Sequence, residues 1–213
     1  MNNFLEFFLE GSWPMWLILV VAVFALTIFF ERFLVLYTKV SIHKEKFMAH
    51  VQRAILAGDL NSAVNYCNES KGPLNNIVKA GIVSVMNKGS NEEVQTSMDV
   101  AALKEIPYIE KRTPWLALLG NVATLIGLLS TIVGLIQAFG AVASVDGAQK
   151  AVFLAQAIAI AMNGTAFGLM VAIPSLLASA LLASKTQTIL DDIHELSVST
   201  LNLIIQNREK FKA

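Results

Sequence analysis

Two uncharged segments of the sequence each carry a regular stripe of small and hydroxyl-bearing residues. In both segments the members are separated by alternating steps of four and three residues, which place them on one helix face. The first stripe consists of Gly120, Thr124, Gly127, Thr131, Gly134 and Ala138. The second stripe consists of Ala161, Thr165, Gly168, Ala172, Ser175 and Ser179. Such faces are typical of helices that pack closely in lipid, and their hydroxyl groups are also suited to line a polar pathway.

The spacing alone favours packing over a lined pathway, because small residues let helix backbones approach closely. The recurrent threonines do not decide the matter, since a membrane threonine often donates to a carbonyl of its own helix. A proton or ion relay inside a membrane also needs an ionisable side chain, and residues 113–145 and 151–184 contain none. The sequence therefore predicts either a structural membrane protein or a channel whose titratable group comes from another chain.

Few other residues could carry chemistry. His43, His50 and His194 have no carboxylate, thiol or second histidine at a catalytic or metal-ligand spacing, and Cys67 has no second cysteine to pair with. No phosphate loop or dinucleotide fingerprint is present, since the glycines of residues 164–168 lie inside an apolar segment. We therefore expect no enzyme activity, no cofactor and no metal. The 16 basic and 16 acidic residues cancel, which argues against nucleic acid as a partner.

The composition indicates a membrane protein. Hydrophobic residues make up 55% of the chain and charged residues 15%, with a mean hydropathy of +0.59. A membrane-spanning helix needs about 20 apolar residues. Three stretches meet this requirement, namely residues 13–30, 113–145 and 151–184. The last two are longer than a bilayer requires, so we predict that their ends project beyond it or are buried in protein.

The distribution of basic residues predicts the orientation of these spans. The first twelve residues contain Glu6 and Glu10 but no lysine or arginine, which is unlike a signal peptide. Most of the lysines and arginines lie in residues 37–112 and 185–213, so these parts are predicted to face the cytoplasm. The expected layout is an outer N-terminus (1–12), a first span (13–36), a cytoplasmic loop (37–112), a second span (113–145), an outer turn (146–150), a third span (151–184) and a cytoplasmic C-terminal helix (185–213). The fold class is thus all-α, with three transmembrane helices, N-out and C-in.

The long cytoplasmic loop is predicted to be helical and compact. Apolar residues at helical spacing indicate helices over residues 43–57, 61–67 and 74–86. Ser90 followed by Glu93 forms a capping-box pattern that opens a fourth helix, expected to end near Lys104. Cys67 is expected to be half-buried. The apolar residues of the tail, which share roughly one face, are Leu190, Ile193, Leu196, Leu201 and either Ile204 or Ile205.

Several of these residues together resemble a known family. Glu31-Arg32 closes the first span, and Gly58-Asp59, Ala63, Cys67 and Gly72-Pro73 follow in the loop. The second span contains Ile126-Gly-Leu-Leu-Ser-Thr-Ile-Val-Gly-Leu-Ile-Gln-Ala-Phe139, and the third contains Thr165-Ala-Phe-Gly-Leu-Met-Val-Ala-Ile-Pro174. With these motifs the sequence resembles the MotA/TolQ/ExbB proton channel family, closest to the ExbB and TolQ branch.

The resemblance implies a homopentamer in the bacterial inner membrane, surrounded by lipid, whose second and third spans line a central pore. Single-span partners like ExbD or TolR would bring a membrane aspartate to that pore. The complex would convert the proton motive force into mechanical work on a TonB-like or TolA-like effector, or drive gliding. The residues implied to line the ion path are Thr131 and Thr165, with Thr124, Gly127, Gly134, Ala161, Gly168 and Ala172 beside them on the stripes.

The sequence departs from the family pattern at two places. Ser130 stands where many relatives have a glycine, and Ile160 stands where they have a glutamate five residues before the third-span threonine. Gln156 and Asn163 offer polar contacts there but do not titrate. This departure motivates an alternative of another class, a membrane scaffold for partner subunits that conducts nothing. A small-molecule transporter is disfavoured, because no inverted repeat or midplane charge is evident.

Pro174 lies inside the third span. Proline lacks the amide hydrogen that would bond the carbonyl of Met170, one turn earlier. The sequence therefore predicts a hinge or a static kink at this position.

Overall fold

The computed structural model describes residues 13–40, 44–69, 72–142, 147 and 149–211. The predictions that concern residues 1–12, His43, 143–146 and 148 lie outside the described residues. The α-helices in the described part are α1 (Pro14–Leu34), α2 (Lys44–Ala57), α3 (Leu60–Glu69), α4 (Pro73–Met86), α5 (Asn91–Glu110), α6 (Thr113–Val142) and α7 (Lys150–Gln206). A π-helical turn (Val35–Lys39) continues α1, and a 3₁₀ turn (Arg208–Phe211) follows α7. No strand occurs in this described part, which confirms the all-α class.

Three stretches of helix are long and apolar enough to cross a membrane: Pro14–Thr38, Asn91–Val142 and Lys150–Gln206. They overlap the three predicted spans, which confirms their number. The helix α7 runs through 57 residues without interruption, so it is about 85 Å long at 1.5 Å per residue. That length far exceeds the roughly 30 Å hydrocarbon core, so much of α7 lies outside it.

The chain divides into two compact units, of which the first comprises residues 1–32 and 112–182. This membrane unit contains most of α1, all of α6 and the first half of α7. A small apolar core forms where Met15 and Ile18 of α1 pack with Phe167 of α7. The outward faces of the helices remain apolar, with Phe24 59% and Ile136 67% exposed, as expected for surfaces that contact lipid.

The second unit comprises residues 33–111 and 183–213 and contains α2 to α5 and the end of α7. The predicted capping box is present, since the Glu93 amide donates to Ser90 Oγ over 3.2 Å and the Ser90 amide donates to Glu93 Oε2 over 2.5 Å. Gly58 ends α2 with a φ of +79°, which costs a residue without Cβ little. These local signals explain why the predicted loop helices form where they do.

The tail of α7 within this second unit buries the predicted apolar face. Leu190, Ile193 and Leu196 are each at most 6% exposed. Ile204 is 1% exposed and Ile205 38%, so Ile204 is the buried member of that pair. The arginine at the end of the chain, Arg208, donates to the Asn91 side chain and to the Gly89 carbonyl. The tail is therefore held by apolar packing and by polar contacts at its end.

One helix end differs from the prediction. The helix α5 continues past Lys104 to Glu110 and contains Pro107 in its interior. Proline removes only one hydrogen bond of the helix, and the complete burial of Ile109 gives the last turn a packed position. The helix then ends, and Arg112 between α5 and α6 has a φ of +66°, which is uncommon for a residue with a side chain. Its guanidinium bonds both carboxylate oxygens of Glu31, at 2.6 and 2.7 Å.

Pro174 does not end α7, which is helical on both sides of it. The hydroxyl of Ser175 donates to the Val171 carbonyl over 2.8 Å, and so adds a polar contact in the turn that the proline weakens. The helix thus remains continuous at this position, while a hinge motion there stays a prediction.

Candidate functional site

The two small-residue stripes face each other in the membrane unit. A Cβ placed on Gly127 of α6 would lie 3.2 Å from Thr165 Cα and 3.3 Å from Gly168 Cα. A Cβ on Gly168 would lie 2.7 Å from the Ala123 carbonyl oxygen. These short distances are to backbone atoms, which cannot rotate away. A side chain at Gly168 would therefore force the two helices apart, whereas one at Gly127 would require the facing backbone to shift by a few tenths of an ångström.

The close contact extends over several turns in both directions. Gly134 lies against Ala161, where an added Cβ would be 2.5 Å from the alanine Cβ. Gly120 lies against Ala172, and a Cβ placed on Gly120 would be 3.2 Å from the Ala172 carbonyl oxygen. A methyl group at Gly164 would overlap the hydroxyl of Ser130. The packing interpretation of the stripes is thus directly visible as contacts between α6 and α7.

The Ser130–Gly164 contact lies outside the stripes, and the sequence reasoning did not identify it. Ser130 is 1% exposed, and it was singled out only as a departure from the family pattern. The signal that could have found the contact is the pair Gly164 and Gly168, which form a small-xxx-small pattern on α7.

The threonines Thr131 and Thr165 come together in the middle of this interface. The Thr165 hydroxyl oxygen is 2.8 Å from the Gly127 carbonyl oxygen, so Thr165 donates from one helix to the other. The Thr131 hydroxyl oxygen is 2.6 Å from the Leu128 carbonyl oxygen of its own helix. The two hydroxyl oxygens are 3.3 Å apart, and both residues are part-buried. The structure therefore brings the two predicted threonines into one polar pair.

The hydrogen bonds of this pair determine what it can bind. A hydroxyl group has one proton and two acceptor lone pairs. The shorter contact of each threonine is with a backbone carbonyl, which takes up both protons. Lone pairs remain, so the pair acts as an acceptor towards a third group. The O–H of a protonated carboxyl group could donate to these lone pairs with both carbonyl contacts kept, whereas binding of a carboxylate would require a hydroxyl to give up its carbonyl contact.

The other predicted site residues are neighbours of this pair. Thr124 donates to the Gly120 carbonyl of its own helix over 3.2 Å. Ala161 and Ala172 are 2% and 1% exposed and contribute to the close packing of α7 on α6. Ile160 is 37% exposed and lies on the outside of that contact. The structure thus places the stripe residues at the interface of two helices of one chain, with the threonine pair as its polar centre.

The residues that we considered for other chemistry lie in the second unit. The ring of His50 stacks on Tyr66 at 4.5 Å between centroids, and His194 is exposed. Cys67 is 2% exposed, so it is fully buried rather than half-buried as predicted. Burial raises the pKa of its thiol to about 11, although nearby Lys79 lowers it in part. Among the described residues no group of three or more His, Cys, Asp or Glu could hold a metal ion.

The family model described as MotA/TolQ/ExbB proton channel family matches residues 69–195. This region includes α6, the whole membrane part of α7 and the threonine pair, and it exceeds half of the chain. The chain belongs to the MotA/TolQ/ExbB proton channel family. The resemblance inferred from the sequence motifs is therefore confirmed at the level of the family.

A solved structure has the same fold. The structure titled "Structure of C. jejuni MotAB" contains a chain that is 16% identical and superposes with a TM-score of 0.64. The match covers 98% of this chain and 84% of that one. No curated protein sequence matches this chain. The likeness shows that the shared fold also includes the helices outside residues 69–195.

Proposed function

We propose that this chain is the channel and stator subunit of an inner-membrane motor of the ExbB and TolQ branch, which uses the proton motive force to do mechanical work. The observation that carries the proposal is the acceptor pair of Thr131 and Thr165 in two spans without ionisable residues. If the pair takes part in proton transfer, the titratable group must come from another chain, since these spans have none. In the proposed complex an ExbD-like or TolR-like single-span subunit brings an aspartate to it.

The chemistry of the pair supports a cycle in which protonation changes the contact. A protonated aspartate would donate its O–H to the threonine oxygens, whereas a deprotonated one could be bound only if a hydroxyl gave up its bond to a backbone carbonyl. Proton uptake and release would then alternately attach and release the partner helix. Each proton that crosses 100 mV supplies about 2.3 kcal/mol, so a few protons suffice for a substantial mechanical step.

Exposed amide side chains within the spans support assembly with other chains. Asn121 and Gln137 of α6 and Gln156 of α7 are exposed in the single chain. An amide that faces lipid has no hydrogen-bond partner, which is costly in hydrocarbon. In the proposed homopentamer, with N-out and C-in orientation, these groups lie against neighbouring subunits or the aqueous pore. The work would be delivered to a TonB-like or TolA-like effector, or to gliding.

The proposal is tested by removing the hydroxyl groups of the pair. Thr131→Val and Thr165→Val keep the side-chain volume while they remove the oxygen acceptors. We expect each change to reduce proton flux at least tenfold in vesicles that contain the purified complex, and the double variant to abolish it. Thr165→Ser, which keeps the hydroxyl, should retain more flux than Thr165→Val.

Thr27 provides the matched control. It lies on α1, is exposed, and donates to the Val23 carbonyl over 2.8 Å in the same way as a membrane threonine of the pair. Thr27→Val removes an equivalent hydrogen bond away from the interface and should leave flux unchanged. Normal flux in the Thr131→Val/Thr165→Val variant, at normal protein levels, would refute the pore assignment.

The coupled ion is identified in the same vesicles by replacing the proton gradient with a sodium gradient.

A non-conducting scaffold is the second candidate function, and Ile160 is the observation that favours it. Family members with a glutamate at this position have a titratable group that this chain lacks, and Ile160 is 37% exposed. A scaffold would still bind the single-span partner. It would show no proton uptake under an imposed gradient when the complete complex is reconstituted.

A further inference from the structure

The side chain of Ser130 fills the space opposite Gly164 between α6 and α7. A Cβ built on Gly164 would overlap both the Cβ and the hydroxyl oxygen of Ser130, whereas the Ser130 Cα would lie 3.8 Å from it, an ordinary contact. Ser130 is 1% exposed, so its side chain is enclosed on all sides. The two side-chain atoms of Ser130 therefore occupy the volume that a side chain at position 164 would need.

This contact lies in the same helical turns as the threonine pair. Ser130 directly precedes Thr131 on α6, and Gly164 directly precedes Thr165 on α7. A Cβ on Gly127, one turn before Thr131, would be 3.3 Å from the Gly164 carbonyl oxygen, so the two backbones are close together here. Their separation determines the 2.8 Å bond from Thr165 to the Gly127 carbonyl and the 3.3 Å between the two threonine hydroxyls.

The size of the residue at position 130 is restricted in both directions. A larger side chain would have to displace the backbone at Gly164, because a close-packed interface has no room for further atoms. A glycine would leave a void of two heavy atoms, and the helices would shift to recover the lost dispersion contacts. A side chain of the size of serine therefore keeps α6 and α7 at one distance.

We propose that Ser130 is a positioning residue, which sets the distance between α6 and α7 at the threonine pair by filling the space opposite Gly164. It acts on Thr165 through the neighbouring Gly164. The effect on proton flux rests on the proposed function of the pair, whereas the effect on helix packing rests on the contact alone.

The contact atoms should be exchangeable between the two helices. With glycine at position 130, a Cβ on residue 164 has no atom outside its own helix nearer than 3.8 Å among the described residues. We expect Gly164→Ala alone to lower the melting temperature of the intact complex in detergent and its proton flux by about tenfold, because the helices must separate. In the Ser130→Gly variant the same change should raise both values, since the methyl group fills the void. An equal loss in both backgrounds would overturn the proposal.

A second comparison separates positioning from a merely structural role. Because Ser130 acts through Thr165, Ser130→Gly should lower flux several-fold in the wild type and change it little in the Thr165→Val variant, which has already lost the hydroxyl. Ser130→Ala keeps the Cβ and should retain more flux than Ser130→Gly. A similar fall of flux in the wild type and in Thr165→Val would mean that Ser130 only stabilises the protein, which contradicts the proposal.

Two controls measure the helix propensities that change with glycine. Ser199→Gly replaces an exposed serine of α7, and Gly140→Ala adds a Cβ that has no neighbour within 4 Å. Neither change should affect flux.

The exchange series also works without flux. If the wild-type complex conducts no protons, the proposed function fails, and the melting temperatures still decide whether Ser130 sets the spacing. If Gly164→Ala does not assemble, assembly of Ser130→Gly/Gly164→Ala supports the proposal, and failure of both to assemble overturns it.

Discussion

At the scale of single residues, burial determines the reactivity of Cys67. The thiol is 2% exposed and desolvation raises its pKa from 9.0 to about 11. The thiolate fraction at neutral pH is then about a hundredfold lower than for an ordinary cysteine, and thiolate is the reactive form. We expect iodoacetamide to leave Cys67 unmodified at pH 7.5 in the folded protein and to modify it readily in denaturant. Intact mass spectrometry measures both rates, and rapid labelling of the folded protein would contradict the assignment.

The same shift predicts a dependence of stability on pH. The pKa of the folded state lies above the unfolded value of 9.0, so the folded protein retains the thiol proton more strongly. The resulting stability is complete below pH 9 and is lost as the pH rises towards 11. Cys67→Ala removes this contribution, and its melting temperature should fall less between pH 8 and pH 10.5 than that of the wild type. An equal fall in both proteins would contradict the linkage.

The residue scale also marks the limit of what the sequence predicts. The spacing of the stripes placed Thr131 and Thr165 on the right helix faces, because helical periodicity determines which residues share a face. It could not assign their hydrogen bonds, since these depend on the relative register of two helices. For the same reason the contact of Ser130 with Gly164 was missed, and the burial of Cys67 was underestimated.

At the scale of helices, the approach of α6 to α7 depends on glycine. Gly168→Ala would place a Cβ 2.7 Å from the Ala123 carbonyl oxygen, which belongs to a rigid backbone. The helices must then separate, and we expect a loss of about 1–3 kcal/mol of stability. The melting temperature in detergent measures this loss. It should come with reduced flux, because separation also lengthens the 2.8 Å bond from Thr165 to Gly127.

Gly140 is the matched control within α6. A Cβ at Gly140 would have no neighbour within 4 Å, so Gly140→Ala should be neutral, or stabilising by about 0.5–1 kcal/mol through helix propensity. If Gly140→Ala and Gly168→Ala had the same effect, backbone approach would not be what holds these helices together.

Helix positions were more predictable than helix ends. The three spans follow from the absence of charge over long stretches, since charged groups are excluded from hydrocarbon whatever the tertiary packing. The extension of α5 to Glu110 was not predictable, because the burial of Ile109 is a tertiary effect. The break at Arg112 was equally hidden, since neither glycine nor proline marks its positive φ.

At the scale of the whole molecule, the chain lacks the group that its proposed chemistry requires. The threonine pair has lone pairs that can accept a hydrogen bond from a protonated acid. Residues 113–142 and 151–182 contain no ionisable side chain. Amide side chains in the same spans are exposed in the single chain. In the proposed complex, other copies would bury the amides and the single-span partner would supply the acid.

This reasoning predicts the composition of the native complex. Purification of the tagged chain in mild detergent should give an intact mass of five copies together with a single-span partner that has an aspartate in its membrane segment. Replacing that aspartate by asparagine should abolish flux. The number of chains in the complex should not change, because a neutral amide of the same size still fits the pore. A homo-oligomer without such a partner would remove the source of protons from the mechanism and favour the scaffold. The co-purified effector would identify the machine.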